Sequence, residues 1–316
     1  MILSENKQLL KDLSFQSEID WDAGSIPTGK VSNWTQGMRA NADFFGHEVY
    51  RDKYLKTENC SQAFGERWQA AMRQSRRCAL AEPALCAYGS WDDKIAIDIG
   101  CGPGNLYATI GGTPQVLIGV DISRGALEQA LQLGYTPLLA DAHALPLVDN
   151  CADIVTLNAV LHHCDDMAKV LSEAARLVRP GGVLITDEDP QQTAWHHKGL
   201  GLLVNAARKQ FPMYWLPGRS SLYRSKQERE LRLATEIHNH KSGDGVTLDL
   251  YRDTLVPLGF EIELYPHNHG VGAELFTGDY GRSPFKYTLA QMLSGMDPNS
   301  PEAAQSVMCI ARKLAA

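Results

Sequence analysis

From Asp92 onward the chain alternates short apolar runs with amphipathic stretches, and few folds accept that rhythm. The runs read "KIAIDIG", "VLIGVDIS", "TPLLADA", "ADIVTLNAV" and "GGVLITDED". Helix-like segments separate them, notably "RGALEQALQLG" (Arg124–Gly134) and "DMAKVLSEAARLVRPGG" (Asp166–Gly182), the second closed by an Arg-Pro-Gly-Gly stop signal. Strands that are apolar on both faces must be covered on both faces, and the intervening helices supply the cover. The pattern therefore predicts an α/β fold, a parallel sheet with helices on both sides. The rhythm pauses after Pro190 for aromatics ("FPMYWLPG", Phe211–Gly218) and a charged helical run ("SKQERELRLATEI", Ser225–Ile237). It resumes with "TLDLYRDTLVPLG", "FEIELYPH" and "SVMCIARKL" (Ser306–Leu314), with "SPFKYTLAQML" reading as a helix inserted before the last strand.

Composition narrows the function. The 316 residues are 44% hydrophobic and 21% charged, as in ordinary globular proteins, and suffice for one large core with a smaller appended part. A net charge of -7 opposes a partner held mainly through phosphates. The one short basic run, "RQSRR" (Arg73–Arg77), reads as a solvated helix face. The 7 cysteines are odd in number and form no CxxC, which points to reduced thiols in a cytoplasm. "MILSENKQLLKDL" lacks the layout of a signal peptide, and no apolar run is long enough to span a membrane.

The stretch "IDIGCGPGN" (Ile97–Asn105) carries the chemistry. Dinucleotide folds use G-x-G-x-x-G, whereas Gly100, Gly102 and Gly104 give G-x-G-x-G with Asp98 inside the preceding strand. An acid beside the turn repels a pyrophosphate and suits a cation, such as an ammonium or a sulfonium. Asp121 closes the next run, where a carboxylate can accept from both hydroxyls of a ribose. Asp141, ending the third run, can accept from an adenine amino group while the Ala142 N–H donates to the ring.

Together these motifs resemble the class I S-adenosylmethionine-dependent methyltransferases, especially the small-molecule branch that includes ubiquinone/menaquinone C-methyltransferases. The resemblance runs from about Ile95 to Asp189 and is carried by "IDIGCGPGN", "GVDIS", "LLADAHALPLVDNCADIVTLNAVLHH" and "EAARLVRPGGVLITD". It implies a Rossmann-like, seven-stranded, mostly parallel sheet whose last strand is reversed, with S-adenosyl-L-methionine as cofactor. The organisation expected is an N-terminal helical cap over 1–90, the cofactor-binding core over 91–190, an inserted substrate lid over 191–245, and the remainder of the core sheet with its own insertion over 246–316. Carried over by position, Gly100, Cys101 and Gly102 line the methionine part through their backbone, and Asp98 sits near its ammonium. Asp121 holds the ribose, Ile122 packs on adenine, Asp141 and Ala142 read the adenine edge, and Asn158 contacts the methionine moiety.

Methyl transfer is an in-line displacement at carbon, and alignment alone can supply roughly 7–11 kcal/mol of its barrier. A base is needed only where the acceptor must lose a proton. His162 and His163 end the fourth run and are the candidates, with His163 preferred; Asp187, Glu188 or Asp189 at the same sheet edge would orient it. Two "HNH" stretches, His238–His240 and His267–His269, have no third ligand spaced to join them, so they read as pocket-rim groups and no metal is expected. His267 follows the sixth strand and is a substrate-side candidate. Phe44, Phe45, Tyr50 and Tyr54 are candidate lid residues, and Tyr214 and Trp215 in the insertion suit an apolar or aromatic acceptor.

"NAVL" stands where amino-directed nucleic-acid methyltransferases carry their Asn/Asp-Pro-Pro-Tyr/Phe signature, which together with the charge argues against DNA or RNA. The partner expected is a small molecule, natural-product-like or quinone-like and methylated on oxygen or carbon, with protein acceptors and a homodimer left open. Three other readings stay open as well. They are a cyclase or isomerase that uses the sulfonium as a fixed charge, a nicotinamide oxidoreductase, and a non-catalytic cofactor sensor.

Overall fold

Seven strands make one sheet in the order β3-β2-β1-β4-β5-β7-β6. They are β1 (Ile95–Ile99), β2 (Val116–Asp121), β3 (Thr136–Leu139), β4 (Ala152–Asn158), β5 (Val178–Pro190), β6 (Phe260–His267) and β7 (Ser306–Lys313). The strands β1 to β5 run parallel, and β7 is antiparallel to both β5 and β6. This computed structural model describes residues 26, 28, 29, 31, 34–47, 61–75, 90–210, 226–239 and 242–314. The parallel sheet expected from the alternation, and the reversed last strand implied by the resemblance, are both present.

The apolar runs are buried on both faces because helices cover both. On one side Ile97, Ile99, Val155 and Leu157 pack with Leu171 and Ala174 of α5 (Met167–Leu177) and with Tyr251 and Leu255 of α9 (Leu248–Leu255). On the other, Ala96, Ile154 and Ile185 meet Trp68 of α2 (Gln62–Gln74) and Leu127 and Ala130 of α4 (Arg124–Gln132). Side chains alternate along a strand, so neighbours Ala96 and Ile97 serve opposite layers. The helix starts are set locally: Ser61 accepts from the Phe64 N–H (3.1 Å), Asp166 from the Lys169 N–H (3.0 Å) and Thr247 from the Leu250 N–H (3.0 Å).

The remaining helices are α1 (Gln36–Gly46), α3 (Asn105–Ile110), α6 (Gln192–Trp195), α7 (Gly199–Gln210), α8 (Lys226–Thr235) and α10 (Phe285–Leu293). Here α1 packs on α8 and α4, and α7 packs on α10, so segments outside the alternating core wall the carboxyl edge of the sheet. No helix among the described residues is long and apolar enough to cross a membrane.

Candidate functional site

The glycine turn leaves β1 in three left-handed steps, Gly100 (φ 67°), Gly102 (φ 54°) and Gly104 (φ 94°). The N–H groups of Gly100 and Cys101 both donate to the Val120 carbonyl (2.7 and 3.0 Å), which draws the turn against β2. A Cβ at Gly100 would lie 2.4 Å from Val160, whereas one at Gly102 would meet nothing within 4 Å. The turn thus shows bare backbone to the cavity it lines. Asp121 is locked beside it, its Oδ2 accepting from the Gly102 N–H (2.9 Å) and its Oδ1 from the Ser123 N–H (2.8 Å). Each carboxylate oxygen has a second lone pair, so the pair can still receive two hydroxyls.

Asp98 lies one layer deeper, 1% exposed. Tyr135 Oη donates to one of its oxygens (2.7 Å) and Thr156 Oγ1 to the other (2.8 Å). Burial, helped by the Asp121 charge, outweighs these bonds and lifts the Asp98 carboxyl to about 7. An acid poised there gives up its proton when positive charge is placed beside it. On the adenine side expected from sequence, Asp141 Oδ1 accepts from His143 Nδ1 (2.7 Å), and the Asp166 N–H donates to His143 Nε2 (3.1 Å), which assigns the ring proton to Nδ1. Asn158 Oδ1 accepts from Trp68 Nε1 (3.3 Å), tying α2 to the end of β4.

One cavity of about 1210 Å³ joins all of these residues, from Asp98, Gly100, Cys101 and Gly102 through Asp121, Ile122, Asp141, Ala142 and Asn158 to His162, His163 and Glu188. A single small-ligand pocket holds roughly 300–1,000 Å³, so this one has room for a nucleoside and a second molecule. Ala159 (φ 57°) and Glu188 (φ 63°), both on its wall, are left-handed without being glycine. Such strain costs on the order of 1–3 kcal/mol each and concentrates at functional sites.

Beyond Asn158 the two histidines lie against each other, their ring centroids 4.0 Å apart and their planes tilted by 39°. His162 Nδ1 donates to Asp189 Oδ1 (2.7 Å), and the His162 N–H donates to the same oxygen (3.0 Å). His162 Nε2 lies 3.7 Å from Glu236 Oε2. His163 Nδ1 donates to the Thr235 carbonyl (2.7 Å) and its ring meets Phe45 edge-on. Burial pushes His162 toward neutrality, but the Asp189 bond and the carboxylate charges prevail and raise its pKa. Burial and the His162 charge together hold His163 far below the usual histidine range. The histidine preferred from sequence is thus the harder of the two to protonate, and the carboxylate orienter stands behind the other.

Asn41 of α1 steadies this corner, its Nδ2 donating to the Gly37 and Thr235 carbonyls (3.0 and 3.3 Å). Asn41, Glu236, Arg232 and Asn239 all line the cavity, and none carries a local sequence signal. Asn41 and Arg232 sit on helices, while Glu236 and Asn239 lie in the segment that follows α8.

The second "HNH" corrects the sequence reading. His267 is fully buried and off the cavity wall, its Nε2 2.6 Å from Asp187 Oδ1. β6 ends at His267, so His269 leaves strand geometry, lines the cavity, and pairs through Nδ1 with Glu188 Oε2 (2.7 Å). Arg67 of α2, 0% exposed, completes the cluster: Nε donates to Asp187 Oδ2 (2.9 Å), Nη2 pairs with Glu188, and Nη1 donates to the Val271 carbonyl (2.5 Å). Of the first "HNH", the His238 N–H donates to the His162 carbonyl (2.9 Å) and Asn239 faces the cavity. Tyr50, Tyr54, Tyr214, Trp215 and His240 lie outside the described residues.

Comparison with known proteins falls on the same segment. A family model described as "Methyltransferase domain" matches residues 97–186. The ubiquinone biosynthesis O-methyltransferase of Aeromonas salmonicida is 37% identical over 97 residues, 28% of this chain and 40% of that protein. The ubiquinone/menaquinone biosynthesis C-methyltransferase of Acidiphilium cryptum is 37% identical over 98 residues, 28% of this chain and 39% of its own length. The chain thus spans about two fifths of the length of these relatives. A solved SAM-dependent methyltransferase from Thermotoga maritima aligns over 86% of this chain and 99% of its own, at 18% identity and a TM-score of 0.44.

Proposed function

We propose that this chain, a class I S-adenosylmethionine-dependent methyltransferase by its domain over residues 97–186, methylates a small-molecule acceptor on oxygen or carbon. The observation that carries the reading is the bare Gly102 backbone beside a locked Asp121, opening on a cavity large enough for donor and acceptor together. These residues fit the cofactor: acids at the ends of β1 and β2, and in the loop after β3, suit a cationic nucleoside and disfavour a pyrophosphate. Bound there, the cofactor supplies a methyl group made electrophilic by its positive sulfur.

The chain's own part is placement. The turn at Gly100–Gly102 holds the methionine portion, Asp121 the ribose, and Asp141 with Ala142 the adenine. Asp98 lies buried under the turn, ready to carry negative charge opposite the ammonium. Trp68 fixes the Asn158 amide at the seam between donor and acceptor. The acceptor lies toward His162, His163 and Glu236. These residues would hold the acceptor in line with the methyl group that the bound cofactor would supply. In-line geometry is the main contribution, on the order of 7–11 kcal/mol. The net charge of -7 favours a small acceptor over nucleic acid, and the 4 described cysteines, all free thiols, suit the cytoplasm.

Calorimetric titration with S-adenosylmethionine and with NADH tests the donor half. Saturable binding of the first alone is expected, weakened in Asp121→Ala by about 1–3 kcal/mol. Tight NADH binding, or unchanged affinity in Asp121→Ala, would overturn the assignment. Release of S-adenosylhomocysteine with phenolic or quinol acceptors distinguishes methyl transfer from a cyclase or isomerase.

A further inference from the structure

We propose that His162, His163 and Glu236 form a site for one first-row divalent metal ion of the zinc type, open toward the acceptor end of the cavity. One donor atom from each of the three lies within 4.8 Å of the others. Both Nδ1 atoms are already used, by Asp189 Oδ1 and by the Thr235 carbonyl, so both rings have only Nε2 left to offer. A buried carboxylate behind one imidazole and a backbone carbonyl behind the other are the supports that metal-bound histidines have.

The separation of His162 Nε2 from Glu236 Oε2, 3.7 Å, is too long for a hydrogen bond. It is close to the roughly 3.3–3.4 Å between two donors each about 2.0–2.1 Å from a tetrahedral ion. Arg232 takes Oε1 of Glu236 (3.0 and 3.2 Å) and Asn239 donates to Oε2 (2.5 Å), so the carboxylate binds through one lone pair of Oε2. Two imidazoles with one carboxylate select zinc, cobalt or nickel over magnesium or calcium. Three protein ligands leave a fourth position for water or an acceptor oxygen.

The other such cluster in the described residues, Asp187, Glu188 and His267, is closed on itself: Arg67 bonds both carboxylates and His267 Nε2 is taken by Asp187, whereas Arg232 takes only Oε1 of Glu236 and leaves Oε2 facing His162 Nε2. A role for the ion in drawing the acceptor's oxygen into place rests on the methyl-transfer reading. Binding itself does not.

The test is to strip the full chain with a chelator and titrate it with Co2+ by visible absorbance and with Zn2+ by calorimetry. Saturation at one equivalent with ligand-field bands of a four- or five-coordinate ion is expected. His163→Ala should abolish saturable binding, and Asp189→Asn should weaken it about 10–100-fold. Both variants should keep wild-type affinity for S-adenosylmethionine, which also reports that they fold. Failure of the wild-type chain to bind one equivalent overturns the site, whatever the variants do. Equal binding by wild type and His163→Ala overturns the ligand assignment. Metal binding without S-adenosylmethionine binding would sink the methyl-transfer reading and leave the metal site standing, and the reverse result would do the opposite.

Discussion

Three consecutive acids of β5 end up in two different kinds of place. Asp187 and Glu188 are closed by Arg67, His267 and His269, a set in which a guanidinium from α2 answers two carboxylates. Asp189 instead stands behind His162, whose far nitrogen lies 3.7 Å from Glu236 Oε2, the oxygen that Arg232 does not take. The first cluster is a strut that ties α2 to the sheet. The second keeps directed lone pairs turned toward a cavity. The difference arises at the break in β5–β7 register between Thr186 and Asp189, where left-handed Glu188 sends neighbouring side chains to different surroundings. Where a guanidinium and two imidazoles close both carboxylates, the corner is rigid and chemically quiet; where Arg232 takes only one oxygen of Glu236, the other still faces His162.

The largest effect is expected at the strut. Arg67→Met would strand two carboxylates in a buried setting and cost about 3–5 kcal/mol in urea unfolding. A loss under about 1 kcal/mol would make the two clusters alike and break the contrast.

At the open corner the sensitivity should lie in turnover. His163→Ala should lower it by about 100-fold through lost placement of the acceptor while changing unfolding free energy by about 1 kcal/mol. Stability falling as far as in Arg67→Met would move this corner into the structural class.

The smallest effect belongs to His269, whose side chain is 47% exposed. His269→Gln should cost only about 0–1 kcal/mol. Burial lowers its pKa, but the Glu188 carboxylate outweighs that and raises it. The stability it adds is therefore fully present below the unfolded value of about 6.5 and is lost as pH rises through the raised value. Unfolding curves of wild type and variant should converge as pH rises, and divergence would show that the ring is not charged at the strut.

The alternating runs were enough to place β1 to β5 and the helices between them, because period and length are local properties of the chain; the Arg-Pro-Gly-Gly expected to close the helix instead lies in β5, which begins at Val178 directly after Leu177. The glycine turn and the acids after it were legible for the same reason: each sits at a fixed offset from the end of a strand. The acceptor half was not. Asn41 and Arg232 reach the cavity from helices distant in sequence, Glu236 follows the second of them, and Arg67 and Trp68 support its wall from behind; no periodicity marks which polar residue on a helix will face inward.

His267 and His269 show the limit within a single motif. The H-x-H spacing puts both rings on one face only while the strand lasts, and β6 stops at the first of them. The sequence by itself determined the sheet, the glycine turn and the acids that stand beside it at the carboxyl edge. Only tertiary packing decided which histidine has a carboxylate behind it and which acids receive a guanidinium, because long-range pairing is set by how layers meet and not by spacing along the chain.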